Sequence, residues 1–469
     1  MNQPNDRPGG LSRLRRPDAR TALAAALALA FAAAAGSASA ATQVVSNCND
    51  TGSGSLRAAI TAAMSGDTVD ATGLSCSTIS LSTGSLVVTA DDLKISGAGR
   101  SRLTVTNGAK YGRVIRHEGT GVLNLYGMTI SGGVVSPAAT EAGTRGGCIY
   151  SNGTVNLGNL VSPADQASGV SVADCTAVST QANVEAQGGG IFARVSVGLA
   201  NSTVTHSRAV AQDSATKSTG GGIFVGQGPF SMKYSEVSDC AASGPTGVAG
   251  GIAAIFVNQV TVTHSTIAGN AASARAGGAY LGTTGGDLVS IDNSTISGNT
   301  SERGESGVVT NVLSGTTPGA IHIYSSTVTG NQSMSTTFGA AAGLSVSGPA
   351  ILQSTIVSGN TRVNLDSDLR LTGTSTGADN LVGVSVGNAP PSAGLITTTD
   401  PKLGPLANRG GPTRTHEPLM GSQAIDHGNN TFGSTTDQRG SGFARTLGAT
   451  TDIGAVERNP DIIFANGFD

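Results

Sequence analysis

Chemistry on a polymer needs charged groups gathered at one place, and this chain is sparing with them: 12% of its residues are charged. A glycoside hydrolase needs two carboxylates about 5 to 9.5 Å apart. A lyase needs a base, commonly Arg or Lys, beside acidic groups or a metal. The densest grouping that could touch a ligand is Asn201, Tyr234, His264 and Asn293, all at one place in a recurring phrase. Lys233, Glu236, Asp292 and His322 stand close to it in that repeat. Tyr and His beside amides can stack on and hydrogen-bond to a sugar, so these four are the candidate glycan-binding patch. The plainer reading is an exposed corner filled with polar residues. Asp366 and Asp368 could bind calcium, the one cofactor considered, or solvate a turn. His416 and His427 have no Ser or Cys partner in a nucleophile motif, and no Cys/His spacing marks a metal site.

The phrase that aligns the patch is Asn201-Ser-Thr-Val204, His264-Ser-Thr-Ile267, Asn293-Ser-Thr-Ile296, Ser325-Ser-Thr-Val328 and Gln353-Ser-Thr-Ile356. Looser copies end at Ile130, Val172 and Val237, so an aliphatic anchor recurs roughly every 30 residues, as in stacked repeats. A second marker follows most anchors: Gly146-Gly147, Gly188 to Gly190, Gly220 to Gly222, Gly250-Gly251 and Gly277-Gly278. It leads into apolar pairs such as Ile191-Phe192 and Ile223-Phe224.

Five residues before the anchor stand Leu125, Leu199, Met232, Val262, Ile291, Ile323 and Ile351; seven before stand Leu123, Val197, Phe230, Val260, Val289 and Ile321. The residues between are mostly polar, the period-two pattern of a strand with one buried face. The odd step from there to the anchor requires a corner. Each coil therefore holds at least two short strands, with a third expected after the Gly pair. Successive coils stack at about 4.8 Å, which places Asn270, Asn299, Asn331 and Asn360 in one amide ladder. Cys175, Ser207 and Cys240 hold the same place in earlier coils. The outward column before each anchor reads Thr129, Ser171, Thr203, Glu236, Thr266, Thr295, Thr327, Thr355, with a single carboxylate. That is a Ser/Thr wall, poor in catalytic groups.

Composition agrees with a repeat. Sixty-eight Gly and 3% aromatics require small residues packed regularly, whereas 38% hydrophobic residues and a net charge of −3 argue against disorder. Arg13, Arg15, Arg16 and Arg20, the apolar Thr21–Ala35 stretch and Ala38-Ser39-Ala40 form the three parts of a secretory signal over residues 1–40. Its removal leaves about −6, which argues against nucleic acid or an anionic membrane as partner, and no later stretch has the ~18 apolar residues of a membrane helix. Export permits disulfides. Cys48–Cys76 is the expected pair among Cys48, Cys76, Cys148, Cys175 and Cys240, and the odd count leaves at least one thiol over. Ser55–Ala63 reads as a short amphipathic helix with Leu56, Ile60 and Ala63 on its apolar stripe, capped by Ser55 and ended by Gly66, covering the first coil. Leu86–Val88, Leu93–Ile95 and Leu103–Val105 read as strands of irregular early coils.

Gly54-Ser-Leu-Arg-Ala-Ala-Ile60 with Gly66-Asp-Thr resembles the N-terminal cap of bacterial surface β-helix proteins, and the repeats resemble the pectin-lyase-like parallel β-helix group. The block Asp400-Pro-Lys-Leu-Gly-Pro-Leu-Ala-Asn-Arg-Gly-Gly-Pro-Thr413, Gly421-Ser-Gln-Ala-Ile-Asp426, Thr436-Asp-Gln-Arg-Gly440 and Asp452-Ile-Gly-Ala-Val-Glu457 resembles a choice-of-anchor Q domain. The resemblance implies that Asp426, Asp437, Arg439, Asp452 and Glu457 hold a loop-rich C-terminal cap. It implies an exported Gram-negative bacterial protein, at the cell surface, outer membrane or outside the cell. The tail Ile462-Ile-Phe-Ala-Asn-Gly-Phe-Asp469 resembles short C-terminal ends that serve as sorting signals; a plain final strand is the other reading.

The expected fold is an all-β, right-handed parallel β-helix. Its parts are a signal (1–40), an N-terminal cap with first coils (41–120), regular repeats (121–398), the C-terminal block (399–457) and a tail (458–469). The expected role is adhesion to an extracellular glycan, matrix or cell surface by a monomer, without catalysis. The alternative is a polysaccharide lyase or glycoside hydrolase acting on the wall.

Overall fold

The computed structural model of the chain describes residues 40–459, apart from 109–111, 137–143, 163–164, 214–216, 285–287, 313–320 and 337–340. The signal expected over 1–40 lies outside the described residues except for Ala40, and the tail expected over 458–469 except for Arg458 and Asn459.

The fold is an all-β parallel β-helix, wound with the right hand expected of parallel crossovers. Three long faces run the length of the stack. The first holds 12 strands from Thr42–Val44 to Ser375–Thr376, the second 12 from Thr78–Leu81 to Ile396–Thr397, and the third 11 from Leu86–Val88 to Ser385–Gly387. Between the second and third faces lie a nine-stranded short face and a three-stranded ribbon of Ala186–Gln187, Lys217–Thr219 and Thr246–Val248.

Strand pairing follows the aliphatic columns. Val204 pairs with Val237, Val237 with Ile267, Ile267 with Ile296 and Ile296 with Val328, all inward and almost fully buried. Leu199, Met232, Val262, Ile291 and Ile323 stack likewise on the first face. Each such side chain taken out of water contributes about 1.5 to 3 kcal/mol, which is why register holds from coil to coil. The early coils obey the same register, with Leu93 opposite Leu123 and Val105 opposite Ile130.

The last copy of the phrase is displaced by one residue. Val328 pairs with Val357 and Ile323 with Leu352, so Val357 and Leu352 face inward where Ile356 and Ile351 were expected. Ser354, with φ +47°, takes the left-handed corner that Ser325 (φ +43°) takes one coil earlier. The hydroxyl pattern slid by one position, and Ile356 turned outward in place of Thr355.

Two polar ladders run through the interior. In the first, Asn270 Nδ2 donates to Asn299 Oδ1 (3.0 Å), Asn299 to Asn331 (2.8 Å), Asn331 to Asn360 (2.7 Å), and Asn360 to Asp368 Oδ1 (2.8 Å). Each Oδ1 also accepts a backbone N–H from the coil before, beginning with Cys240 N on Asn270 (3.0 Å). In the second, the Ser of each phrase accepts from the preceding Ser: Ser202 N on Ser235 Oγ (3.1 Å), Ser235 N on Ser265 Oγ (3.2 Å) and Ser265 N on Ser294 Oγ (3.2 Å). Buried polar groups are tolerated when so paired.

The ladder explains the Gly pairs. A Cβ on Gly251 would stand 2.9 Å from Asn270 Cγ, and one on Gly278 3.0 Å from Asn299 Cγ. Only Gly leaves room for the amide. At the equivalent places of an earlier coil stand Cys148 and Cys175, joined by a disulfide with Cα atoms 5.4 Å apart. Cys48 and Cys76 form the second disulfide, with Cα atoms 6.4 Å apart. Cys240 is a free, buried thiol at the head of the amide ladder, and burial pushes its pKa up to about 12.

A helix, α1 (Leu56–Ala62), buries Leu56, Ala59 and Ile60 and packs against the strands of the first coil. The Ser55 hydroxyl accepts from Ala58 N, and the helix ends at Ala63. Gly66 serves instead the turn that follows, with φ +92°.

The C-terminal block folds back along the second face, where Thr266 Oγ1 donates to Arg414 O (2.6 Å), Thr295 Oγ1 to Gln438 Oε1 (2.6 Å), and Ala455 N to Thr327 Oγ1 (3.0 Å). Ile356 packs with Leu381, Ala424 and Ile453 in a second small core. The supposed outer wall is thus, from Glu236 onward, the bed of the block.

Candidate functional site

The corner residues Asn201, Tyr234, His264 and Asn293 do form one column, each with a left-handed φ between +42° and +50°. Such a corner suits Asn and His better than Tyr. The column is not an open patch, although Tyr234 and His264 keep part of their surface. Asn201 and Asn293 are 3% and 0% exposed. Gly440 lies against the Tyr234 ring, Ser434 Oγ accepts from Asn293 Nδ2 (3.3 Å), and Thr436 Oγ1 lies 3.5 Å from His264 Nε2. Arg414 pairs with Glu236 (2.5 Å). Burial, with Lys233 and Arg445 adding repulsion, lowers the His264 pKa to about 4, so the ring sits neutral at its place in the interface. Burial raises Asp292 to about 6.

Most of the other charged residues singled out in the sequence are held by hydrogen bonds within the fold. Both Asp368 oxygens are occupied: Oδ1 accepts from Asn360 N and Nδ2, and Oδ2 from Val384 N (2.9 Å). Asp368 therefore ends the amide ladder, while Asp366 is exposed on an antiparallel edge. Among the described residues no group of three or more His, Cys, Asp or Glu is placed to hold a metal ion. Asp437 pairs with Arg439 (2.5 Å) and accepts from Glu457 N (2.9 Å). Asp452 accepts from Asp426 N (2.8 Å), and Glu457 from Leu447 N (2.8 Å) and Asp452 N (2.9 Å). His416 accepts or donates at Ser297 Oγ (2.8 Å), fastening the block, and His427 is exposed.

The arrangement best suited to a ligand lies on the third face. Tyr150, Phe192 and Phe224 occupy one outward column, in which Tyr150 and Phe192 are covered by their neighbours and Phe224 is half-buried. Their rings stack at 5.4 and 5.3 Å between centroids, within 7° of parallel. Ala253 takes the next place and Tyr280 the one after. One bank beside this floor is a second column, Arg145, Gln187, Thr219, Val248 and Arg275, held by the three-stranded ribbon and its two flanking bridges. The Arg145 guanidinium lies 5.1 Å from the Phe192 ring centre and that of Arg275 5.0 Å from Tyr280. Arg113 holds the same relation to Tyr150 at 5.3 Å. Such cation–π contacts fix the orientation of both partners.

The opposite bank carries Arg194, Gln227, Ile255 and Phe256. A β-bulge between Ala254 and Val257 turns Phe256 outward, with φ +69° and 62% exposure. Together these form a cleft of about 600 Å³. Its lining holds Arg145, Arg194, Lys217 and Arg275 against a single carboxylate, Glu185; Arg275 also leans on Glu305 at 3.4 Å.

The sequence marks Ile191-Phe192 and Ile223-Phe224 as apolar pairs without telling which member faces outward. The usable signal was the aromatic two residues beyond each last Gly or its Cys148 equivalent, at Tyr150, Phe192, Phe224 and Tyr280, because strand alternation turns that residue outward.

No helix among the described residues is long and apolar enough to cross a membrane. No family model, curated protein or solved structure matches the chain, so what the cleft does must be argued from its own chemistry.

Proposed function

We propose that this is an exported protein that binds a glycan, on a matrix or cell surface, through the cleft of its third face, without cleaving it. The carrying observation is a cleft in which Phe224, Tyr280 and the exposed Phe256 stand beside a guanidinium bank, fixed by backbone pairing over five coils. Aromatic faces and edges suit the apolar side of a sugar ring, and forked N–H donors suit its oxygens. A binding surface that spans several coils favours a polymer over a small molecule. A paired-carboxylate hydrolysis would need a second acid beside Glu185, and the cleft lining carries one. Two disulfides fit an oxidising compartment, which supports export.

The test is binding of the purified protein to a panel of immobilised polysaccharides, with a parallel assay for new reducing or unsaturated ends, with and without calcium. Binding without product, lost in Phe224→Ala, is the expected result. Product accumulating in step with protein concentration would replace this reading with the lyase or hydrolase alternative.

A further inference from the structure

Resting on the export part of that reading, we infer that the leader is cut between Ala40 and Ala41, and that the α-ammonium so formed pairs with Asp67 and fastens the outermost strand. The bond to be cut is accessible, because Ala40 and Ala41 both face solvent. It follows the run Ala38-Ser39-Ala40, the small-x-small pattern at which secretory leaders are removed. The compact body starts at Ala41, and its first strand, Thr42–Val44, begins one residue later. A cut there leaves no overhang between the new terminus and the fold.

Asp67 is placed to receive the new charge. It is 5% exposed. Its Oδ2 accepts from Met64 N (2.9 Å) and its Oδ1 from Ala41 N (2.7 Å), and the Gln43 side chain is a further donor. The backbone N–H groups of Met64 and Ala41 hold the carboxyl below its usual range, so it stays ionised. Among the described residues, however, no Lys, Arg or His pairs with it. A carboxylate this far out of water ordinarily has a cation beside it.

Hydrolysis supplies one. Water adds across the Ala40–Ala41 bond, Ala40 leaves with the leader as a carboxylate, and the freed amine takes up the proton. The N–H already directed at Asp67 Oδ1 then belongs to a cation, and a charge-assisted hydrogen bond is roughly twice as strong as a neutral one. The strand it holds has few other ties. Thr42–Val44 is three residues long, ends the twelve-stranded first face and pairs on one side only. Ala41 O accepts from Thr68 N (2.8 Å), so both polar groups of Ala41 are pinned to the second strand.

The experiment exports the full chain from a Gram-negative host, sequences the product from its N-terminus, and titrates the α-amine by competitive acylation read by mass spectrometry. The product should begin Ala41-Thr42-Gln43. Its amine should titrate about one unit or more above the ordinary ~7.7 to 8.0, because a nearby opposite charge favours the protonated form. Asp67→Asn, which keeps an oxygen for Ala41, should return the amine to that range. Two residues, Gly-Ser, inserted between Ala40 and Ala41 should do the same with Asp67 intact. Asp92 and Lys94 touch this turn through their backbones, at Gly66 N and Asp67 O, and Asp70 lies further along the second strand; all three stay in place throughout. A start at another residue, an amine of ordinary pKa, or one that neither change moves overturns the inference and leaves export and glycan binding standing. A product retained in the cytoplasm with residues 1–40 attached removes the export reading as well.

Discussion

Asn299→Ala tests how much the interior amide ladder contributes to holding the coils together. The wild-type carboxamide donates to Ile267 O (3.0 Å) and Asn331 Oδ1 (2.8 Å) and accepts from Asn270 N and Nδ2, both at 3.0 Å. Its removal strands the Asn270 backbone N–H, one amide proton of Asn270 and one bond to Ile267 O, while Asn331 Oδ1 keeps Asn299 N. With each orphaned buried group costing about 1 to 3 kcal/mol, the loss is about 3 to 9 kcal/mol. An unfolding entropy of about 2.1 cal/mol/K per residue over ~420 folded residues gives about 0.9 kcal/mol/K. The midpoint should then fall by roughly 3 to 10 °C. The chain has no Trp, so far-UV circular dichroism is the suitable probe. Thr300→Ala, at an exposed neighbour, is the control and should move the midpoint by well under about 1 °C. If Asn299→Ala melts within about 1 °C of Thr300→Ala, the ladder is decoration and the account of the Gly pairs falls with it.

Other consequences are equally measurable. Cys148→Ala with Cys175→Ala opens a bridge of sequence separation 27 and should cost about 3.5 kcal/mol by loop entropy, read as a lower melting midpoint; no change would mean that packing alone sets that coil. Gln438→Ala removes the side chain that accepts from Thr295 Oγ1 and donates to Thr266 Oγ1 and Thr413 Oγ1. Hydrogen exchange across residues 400–457 should quicken while the solenoid strands stay protected; uniform quickening would contradict a separately docked block. His264 has a folded pKa of about 4, below its unfolded value of about 6.5. Its contribution is therefore present above about pH 6.5 and lost as pH falls toward 4. Lys233, Arg445 and Tyr234 face it, so the comparison must be with a variant that leaves them in place. His264→Asn suits the left-handed corner, as Asn293 does at φ +42°. It should lose less midpoint between about pH 7.5 and about pH 4.5 than the wild type; equal losses would place the acid sensitivity elsewhere.

The winding itself was plain in the residues, because aliphatic anchors such as Val237 and Ile267 recur at nearly fixed spacing and one buried axis is the simplest way to stack them. The second polar ladder was also visible, in the Ser held constant at the phrase's second place, though its inward role depends on a left-handed corner that spacing does not reveal. Ile356 misled because register depends on which residue adopts positive φ, and Ser354 and Gln353 are both acceptable by type. The corner patch misled for a tertiary reason. Tyr234 and His264 stand open to solvent until a segment about 170 to 210 residues later returns to cover part of them, and nothing local to either records that return. The third-face cleft went unnoticed because a Phe beside an Ile, as in Ile223-Phe224, looks like core until the strand's two faces are told apart.

Oxidative footprinting of the full chain, alone and with the tightest-binding polysaccharide of the panel, decides whether the working surface is the cleft. Phe256, 62% exposed, should be labelled in the free protein and shielded by the polymer, while labelling at Tyr234 and His264 should not change. Polymer-dependent shielding at Tyr234 and His264, with Phe256 labelled as before, would return the site to the corner column and contradict the placement of the C-terminal block.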